Sequence, residues 1–292
     1  MSRQSQRQLR LACNVPPANS GRLARAAEPW TTYVSRDIAH ILDGWEFDPE
    51  RISVRIVAGD DGREKIQLRL DLGVLQMEMD GRPDGVRPEG FDSWFEHYRD
   101  AQAQHDAANP DAAPFILSET DCERLLREGV QYYHRYLSFW HLERYELCAR
   151  DTRRNLQLFR FVRDHAKDDR DRMRFDQFRP YVTMMHARAV ATPFVELGDY
   201  PTAVTAVEAG IRDIRTFLEE YGQSEKSDQC AELVQLLRWR EELEAKATTL
   251  LPAPAEDSQL ATLRRELAEA VRNERYEEAA RLRDELRKIT DL

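Results

Sequence analysis

The chain has 292 residues, 41% of them hydrophobic and 33% charged, and carries a formal net charge of −10. That length allows two domains with cores of their own, and the surplus of charge suits long helices with salt-bridged outer faces. The acidic balance works against long-range attraction to a phosphate backbone, no run of 18 or more apolar residues offers a membrane span, and the N-terminus lacks the apolar core of a secretion signal, so a cytoplasmic location is expected.

Four cysteines, Cys13, Cys122, Cys148 and Cys230, lie far apart with no CxxC pair. This spacing argues against a zinc knuckle or a disulfide framework and predicts reduced thiols that act as packing residues. Residues 1–27 hold Arg3, Arg7, Arg10, Arg22 and Arg25 without one Asp or Glu, around the stretch "PPANSG". That composition predicts a disordered basic tail over residues 1–29.

In "YVSRDIAHILDGW", Ile38, Ile41 and Leu42 have the spacing of a short amphipathic helix, with Ser35 as its cap. The period then changes from helical to alternating. Ile52, Val54 and Ile56 alternate with polar residues, "GDDG" supplies a turn, Ile66, Leu68, Leu70 and Leu72 alternate again, and Leu75, Met77 and Met79 continue the pattern. A three-stranded antiparallel sheet with one wet and one buried face is predicted. Helical spacing returns with Phe91, Trp94, Phe95 and Tyr98, whose apolar side needs the sheet to lie on, giving a small α/β domain over residues 30–105. The order α-β-β-β-α resembles a double-stranded RNA-binding domain in topology. Where such domains carry lysines, however, this last helix opens with "EGFDSWFE".

A Pro/Ala/Asp linker, "QHDAANPDAAP", precedes "SETDCERLL", in which Ser118 or Thr120 with Asp121 or Glu123 makes a capping signal. Five helical stretches follow to residue 248. Three turns within the chain share a pattern: "ERYELCAR" at 143, "LGDYPTAV" at 197 and "ERYEEAAR" at 274 each place a small residue three positions after a tyrosine. Tyrosine fills the wedge where two helices diverge, and the small residue lets their backbones approach. The pattern resembles tetratricopeptide repeats, but Tyr145, Tyr200 and Tyr276 are 55 and 76 residues apart rather than at multiples of 34. An irregular tetratricopeptide-like bundle over residues 118–248 is expected. The fold class is therefore mainly α, with a small α+β N-terminal domain, a repeat-like helical bundle and a C-terminal helical hairpin.

That hairpin follows the proline-broken linker "TTLLPAPAEDSQ". Leu260, Leu263 and Leu267 make one helical face, and Tyr276, Ala279, Ala280, Leu282, Leu286 and Ile289 make the next, with "RNER" as the turn. Two helices this short cannot bury their shared face alone and need something to pack on. With Leu263, Leu267, the run "ERYEEAARLRDEL" containing Arg283 and Asp284, and the closing Leu286 and Ile289, residues 258–292 resemble the UVR motif. That motif is the helical hairpin shared by the excision-repair proteins UvrB and UvrC and by proteins of protein quality control. The family's usual turn phenylalanine is Tyr276 here. The resemblance implies a docking element that pairs with another hairpin, with Leu263, Leu267, Tyr276, Ala279, Ala280, Arg283, Leu286 and Ile289 as the partner-binding residues. Eight basic and eight acidic residues leave the segment neutral, which favours protein over nucleic acid as its partner.

Signals for chemistry are weak. His134 and His141 are two helical turns apart, too far for one ion, and "DHAKDDRDR" lacks the glycine and terminal glutamate of a calcium loop and reads as a solvated turn. No GxxxxGK[ST], GxSxG, HExxH or dinucleotide fingerprint is present. No metal, no cofactor and no enzymatic activity are expected. Residues 150–179 carry ten basic residues against six Asp, interleaved with Phe159, Phe161, Phe175 and Phe178. Arg153, Arg154, Arg174 and Arg179 are the candidate anion-binding residues, since guanidinium forks near aromatics grip phosphates or acidic peptides. The expected function is a non-enzymatic adaptor or scaffold docking a protein partner, or itself, through residues 258–292. The alternative is a nucleic-acid-associated protein that uses the Arg tail and residues 150–179.

Overall fold

A computed structural model of the chain describes residues 37–108, 113–249, 258–273 and 275–290. The predicted basic tail, its Arg residues, Cys13 and Ser35 lie outside the described residues. The described residues open on a helix of four residues, α1 (Ala39–Leu42), whose first amide donates to Asp37 Oδ1 at 2.9 Å.

Three strands follow: β1 (Val54–Ala58), β2 (Glu64–Leu70) and β3 (Gly73–Glu78), antiparallel in the order β1-β2-β3. Val54 faces Leu68 and Ile66 faces Met77 across the ladders, so the alternating apolar residues share one side as the period of two requires. Leu72 falls in the turn between β2 and β3 instead of extending the strand, and is 89% exposed. The other side is not the wet face that alternation predicts. Lys65 and Gln67 are both buried, Lys65 Nζ lying 2.8 Å from Asp61 and 2.5 Å from Glu78, and Gln67 bonding Arg55 and Gln76 at 2.9 Å. Arg55 in turn stacks 4.0 Å from the centre of the Trp45 ring. Satisfied pairing lets this polar row be covered without an unpaired charge.

Helix α2 (Trp94–Ala108) buries Phe95 and Tyr98. Its first free amides are met from a distant part of the chain: Trp94 and Phe95 donate to the Glu128 carboxylate at 2.8 and 3.1 Å. An anion at a helix N-terminus also opposes the macrodipole favourably. Glu128 belongs to α3 (Glu119–His141), which also packs on β2. Ser118 and Asp121 close the predicted capping box at the start of α3.

The helical series continues with α4 (Tyr145–His165), α5 (Asp169–Asp176), α6 (Arg179–Glu196), α7 (Tyr200–Glu220) and α8 (Ala231–Thr249). It ends with α9 (Ser258–Arg272) and α10 (Tyr276–Thr290). The stretch read as a solvated turn, "DHAKDDRDR", contributes its second half to α5, where Phe175 is buried beside Phe159. Neighbouring helices pack in sequence, α3 on α4, α4 on α6, α6 on α7 and α7 on α8. One buried apolar cluster runs from Ile66 and Phe95 through Leu125, Leu158, Phe194 and Ile214 to Leu286, so sheet, bundle and terminal hairpin share a core.

The shared turn pattern has a common geometry. Arg144 donates to Phe139 O at 2.9 Å and Glu143 to Trp140 O at 3.2 Å; Asp199 donates to Phe194 O at 2.8 Å and Gly198 to Val195 O at 3.1 Å. These paired bonds from five and three residues on close a helix end through a left-handed residue, here Glu143 (φ 57°) and Gly198 (φ 74°). The small residues Cys148 and Ala203, one turn beyond each tyrosine, are completely buried.

Candidate docking site

The terminal hairpin is built on the same plan. Arg275 donates to Ala270 O at 2.8 Å and Ala279 to Arg275 O at 2.9 Å, matching the bonds at residues 144 and 148, and Ala279 is completely buried like Cys148 and Ala203. From α9, Leu263, Leu267, Ala270 and Val271 are buried, and from α10 Ala279, Leu282 and Leu286, while Ala268 and Ile289 are partly covered. The two helices close on each other, and α10 also packs along α4.

At that contact lies a charge that helical periodicity would place on a surface. Arg283 is 2% exposed, and its Nη1 donates to Glu146 Oε2 at 2.6 Å, with the Glu146 side chain 3% exposed. Asp284 accepts from Arg283 Nη2 at 2.9 Å and is half open to solvent. Glu146 is the less well served partner, because its Oε1 is buried without a hydrogen bond. Burial pushes the Glu146 carboxyl up, against the pull of Arg283, and the charges of Asp284 and Glu196 push the same way as burial. A buried ion pair whose desolvation roughly offsets its attraction adds little stability and chiefly fixes which surfaces meet.

Of the residues predicted to bind a partner, Leu263, Leu267, Ala279 and Leu286 are buried within this chain and Arg283 is engaged by Glu146. Ala280 and Ile289 are half-buried, and the side chain of Tyr276 lies outside the described residues. Sequence reasoning missed Glu146, yet a signal was available. The octapeptide "ERYELCAR" that opens α4 shares six of its eight positions with "ERYEEAAR", which opens α10.

The arginines of residues 150–179 are largely matched by carboxylates. Arg154 pairs with Glu128 and stacks 3.9 Å from the Tyr132 ring centre. Arg174 lies 3.3 Å from Asp171, and Arg179 lies 3.4 Å from Asp176 and also pairs with Glu220. Arg150 reaches Asp80 at 2.6 Å, and Arg163 lies 3.8 Å from both Asp176 and Glu220. Arg153 is half-buried, and its charge adds to the burial that lowers the His186 pKa. Phe159, Phe161 and Phe175 are buried in the core and Phe178 is exposed. These arginines thus look toward several different partners instead of converging on one anion.

Among the described residues, no group of three or more His, Cys, Asp or Glu could hold a metal ion, and no helix is long and apolar enough to cross a membrane. Cys122 and Cys148 are buried, which pushes the Cys122 thiol up to about 12 and away from reactivity. A shallow depression of about 190 Å³ is lined by Arg188, Gln235, Leu236, Arg238, Trp239 and Glu242.

Compared with known families, residues 257–291 match the UvrB/uvrC motif, known as UVR. No curated protein and no solved structure matches the chain.

Proposed function

We propose, on the premise that the chain carries a UvrB/uvrC motif at residues 257–291, that it is a non-enzymatic adaptor whose terminal hairpin docks a protein partner or a second copy of itself. The observation that carries this reading is the seating of α10 on α4: the hairpin packs its residues against a protein helix, using a specific buried ion pair. Its equal numbers of acidic and basic residues fit a protein surface better than a polyanion. The nucleic-acid alternative loses its main support because Arg150, Arg154, Arg163, Arg174 and Arg179 already face carboxylates.

The test compares capture by the full chain with capture by a chain ending at Asp257, both checked for folding by circular dichroism. A set of proteins, or untagged copies of the chain, that is lost with the hairpin is the expected result. Identical captured sets would refute the adaptor reading.

A further inference from the structure

Helices α3, α6 and α8 carry matching rows of side chains along one face of the bundle. Tyr133 and Trp140 are seven residues apart on α3, as are Tyr181 and Arg188 on α6. The Tyr133 and Tyr181 ring centres lie 6.5 Å apart, and the Arg188 guanidinium lies 4.9 Å from the centre of the Trp140 ring. The two pairs therefore form two layers, separated by about 10.5 Å of helix. Helix α8 borders both: burial pushes the Tyr181 hydroxyl up with the Glu232 charge acting the same way, and Trp239, seven residues after Glu232, lines with Arg188 the depression of about 190 Å³.

Arg188 differs from the other arginines of the bundle. The half-buried Arg150, Arg154, Arg163, Arg174 and Arg179 face carboxylates, whereas the half-buried Arg188 has neither an ion pair nor a side-chain hydrogen bond among the described residues. Stacking on Trp140 fixes the guanidinium plane and leaves its N–H edges unused. A half-buried charge without a counter-ion is costly, and an incoming carboxylate removes that cost. On the rim Arg238 and Glu242 pair at 3.3 Å and cancel, so Arg188 is the unmatched charge of the depression. Glu232 nearby and the net charge of −10 oppose a run of acidic residues, so one carboxylate fits and several do not.

The floor of this face continues on both sides of Arg188, since α6 spans Arg179–Glu196 and α8 runs on from Trp239 to Thr249. A bound chain can pass through instead of ending there. In an extended segment with three residues per turn and about 3.1 Å per residue, one turn covers about 9.3 Å, close to the separation of the layers. The residue over Tyr133 and Tyr181 then lies three positions from the residue at Arg188, and those partly buried rings call for an apolar side chain.

We propose that the face shared by α3, α6 and α8 is a docking surface separate from the terminal hairpin, which binds an extended segment of a partner protein through one Asp or Glu on Arg188 and an apolar residue three positions away on Tyr133 and Tyr181. The guanidinium fork sets the register of the segment, and the tyrosines select its apolar residue.

The test selects random twelve-residue peptides, displayed within a phage coat protein so that no free C-terminus is offered, on the full chain and on its Arg188→Gln variant in parallel. Peptides enriched on the unchanged chain alone should share one Asp or Glu three positions from an apolar residue. The most enriched peptide, acetylated and amidated at its ends, is then titrated by fluorescence anisotropy. Arg188→Gln should raise Kd by about tenfold or more, as should the amide in place of the peptide's carboxylate, and the two changes together should cost no more than either alone. Arg238→Gln, which removes an equal charge from the same depression, should leave Kd within about twofold. The change on the peptide reads the contact even where circular dichroism shows that Arg188→Gln disturbs the helices. No enrichment, enrichment of the same sequences on Arg188→Gln, or enriched sequences without an acidic residue overturn the proposal, as do equal losses in Arg188→Gln and Arg238→Gln. A peptide that binds only with a free C-terminal carboxylate overturns it too, because a chain end would then sit at Arg188.

Discussion

Replacing Glu128 by glutamine tests whether the sheet, α2 and the bundle are joined by one buried charge. Glu128 is fully buried. Its Oε1 receives the Phe95 amide and Arg154, and its Oε2 receives the Trp94 amide, with Arg82 Nε at 3.4 Å. A carboxamide has one accepting oxygen and one donating nitrogen, so either orientation points an N–H₂ group at an N–H and a guanidinium. A buried donor left without an acceptor costs about 1–3 kcal/mol, and removing one partner of a buried ion pair about 3–5 kcal/mol. Arg154 and Arg82 keep 14% and 11% of their side-chain surface in solvent and can recover part of that by turning outward. A net loss of about 2–4 kcal/mol is expected. Equilibrium urea unfolding monitored at 222 nm measures it, and hydrogen exchange at Trp94 and Phe95 locates it. Pairing the change with Arg154→Met should return about 1–2 kcal/mol, because the guanidinium left without its carboxylate is then gone. A loss below about 1 kcal/mol, or one that does not accelerate exchange at the start of α2, refutes the assignment of Glu128 as the joint.

Two further outcomes follow from packing and burial. Gly210 on α7 faces α6 so closely that a Cβ would sit 2.6 Å from Ala187 Cβ and 3.2 Å from Leu236 Cδ1. Gly210→Ala gains about 1 kcal/mol of helix propensity and loses about 1–3 kcal/mol to overpacking, so a net destabilisation measurable by urea unfolding is expected, and a stabilised variant would contradict the packing. His186, bonded at Nδ1 to Thr152 Oγ1 at 3.0 Å, has its pKa lowered from 6.5 to about 4 by burial. The unfolded chain binds that proton first, so the contribution of the neutral ring is present above pH 6.5 and is lost as pH falls toward 4. With the ring half-buried, the loss is about 1–2 kcal/mol. The difference in stability between the unchanged chain and His186→Gln, followed from pH 7 to 4, should shrink by that amount; a constant difference would remove His186 from the acid response.

Features set by neighbours in the chain were legible before any coordinates. Leu125, Tyr136 and Leu137 keep their helical spacing on the buried side of α3, Ile66 and Leu68 keep theirs on β2 and Met77 on β3, and Ser118 meets Asp121 three residues on, because each signal is written within a turn or two of backbone. The terminal motif is legible for the same reason. What periodicity cannot carry is a partner from elsewhere. The window 150–179 shows an excess of arginine because Asp80, Glu128 and Glu220, which face Arg150, Arg154 and Arg179, are outside it. Lys65 and Gln67 alternate like solvent-facing residues, and only Asp61, Glu78, Gln76 and Arg55 make their burial tolerable. Arg283 meets Glu146 across a separation of 137 residues, and although the octapeptides that open α4 and α10 are alike, neither one alone says that the two helices meet.

Only eight residues, 250–257, join Thr249 at the end of α8 to Ser258 at the start of α9. Fully extended, a segment of that length reaches no more than about 29 Å. A tether this short presents the hairpin to α4 at an effective concentration on the order of millimolar. A competing hairpin at micromolar concentration meets the same surface with about a thousandfold disadvantage, roughly 4 kcal/mol, before any contact is compared. A partner can therefore be selective without being exceptionally sticky, since weak associations are screened out by the chain's own connectivity and only those exceeding that threshold displace the hairpin.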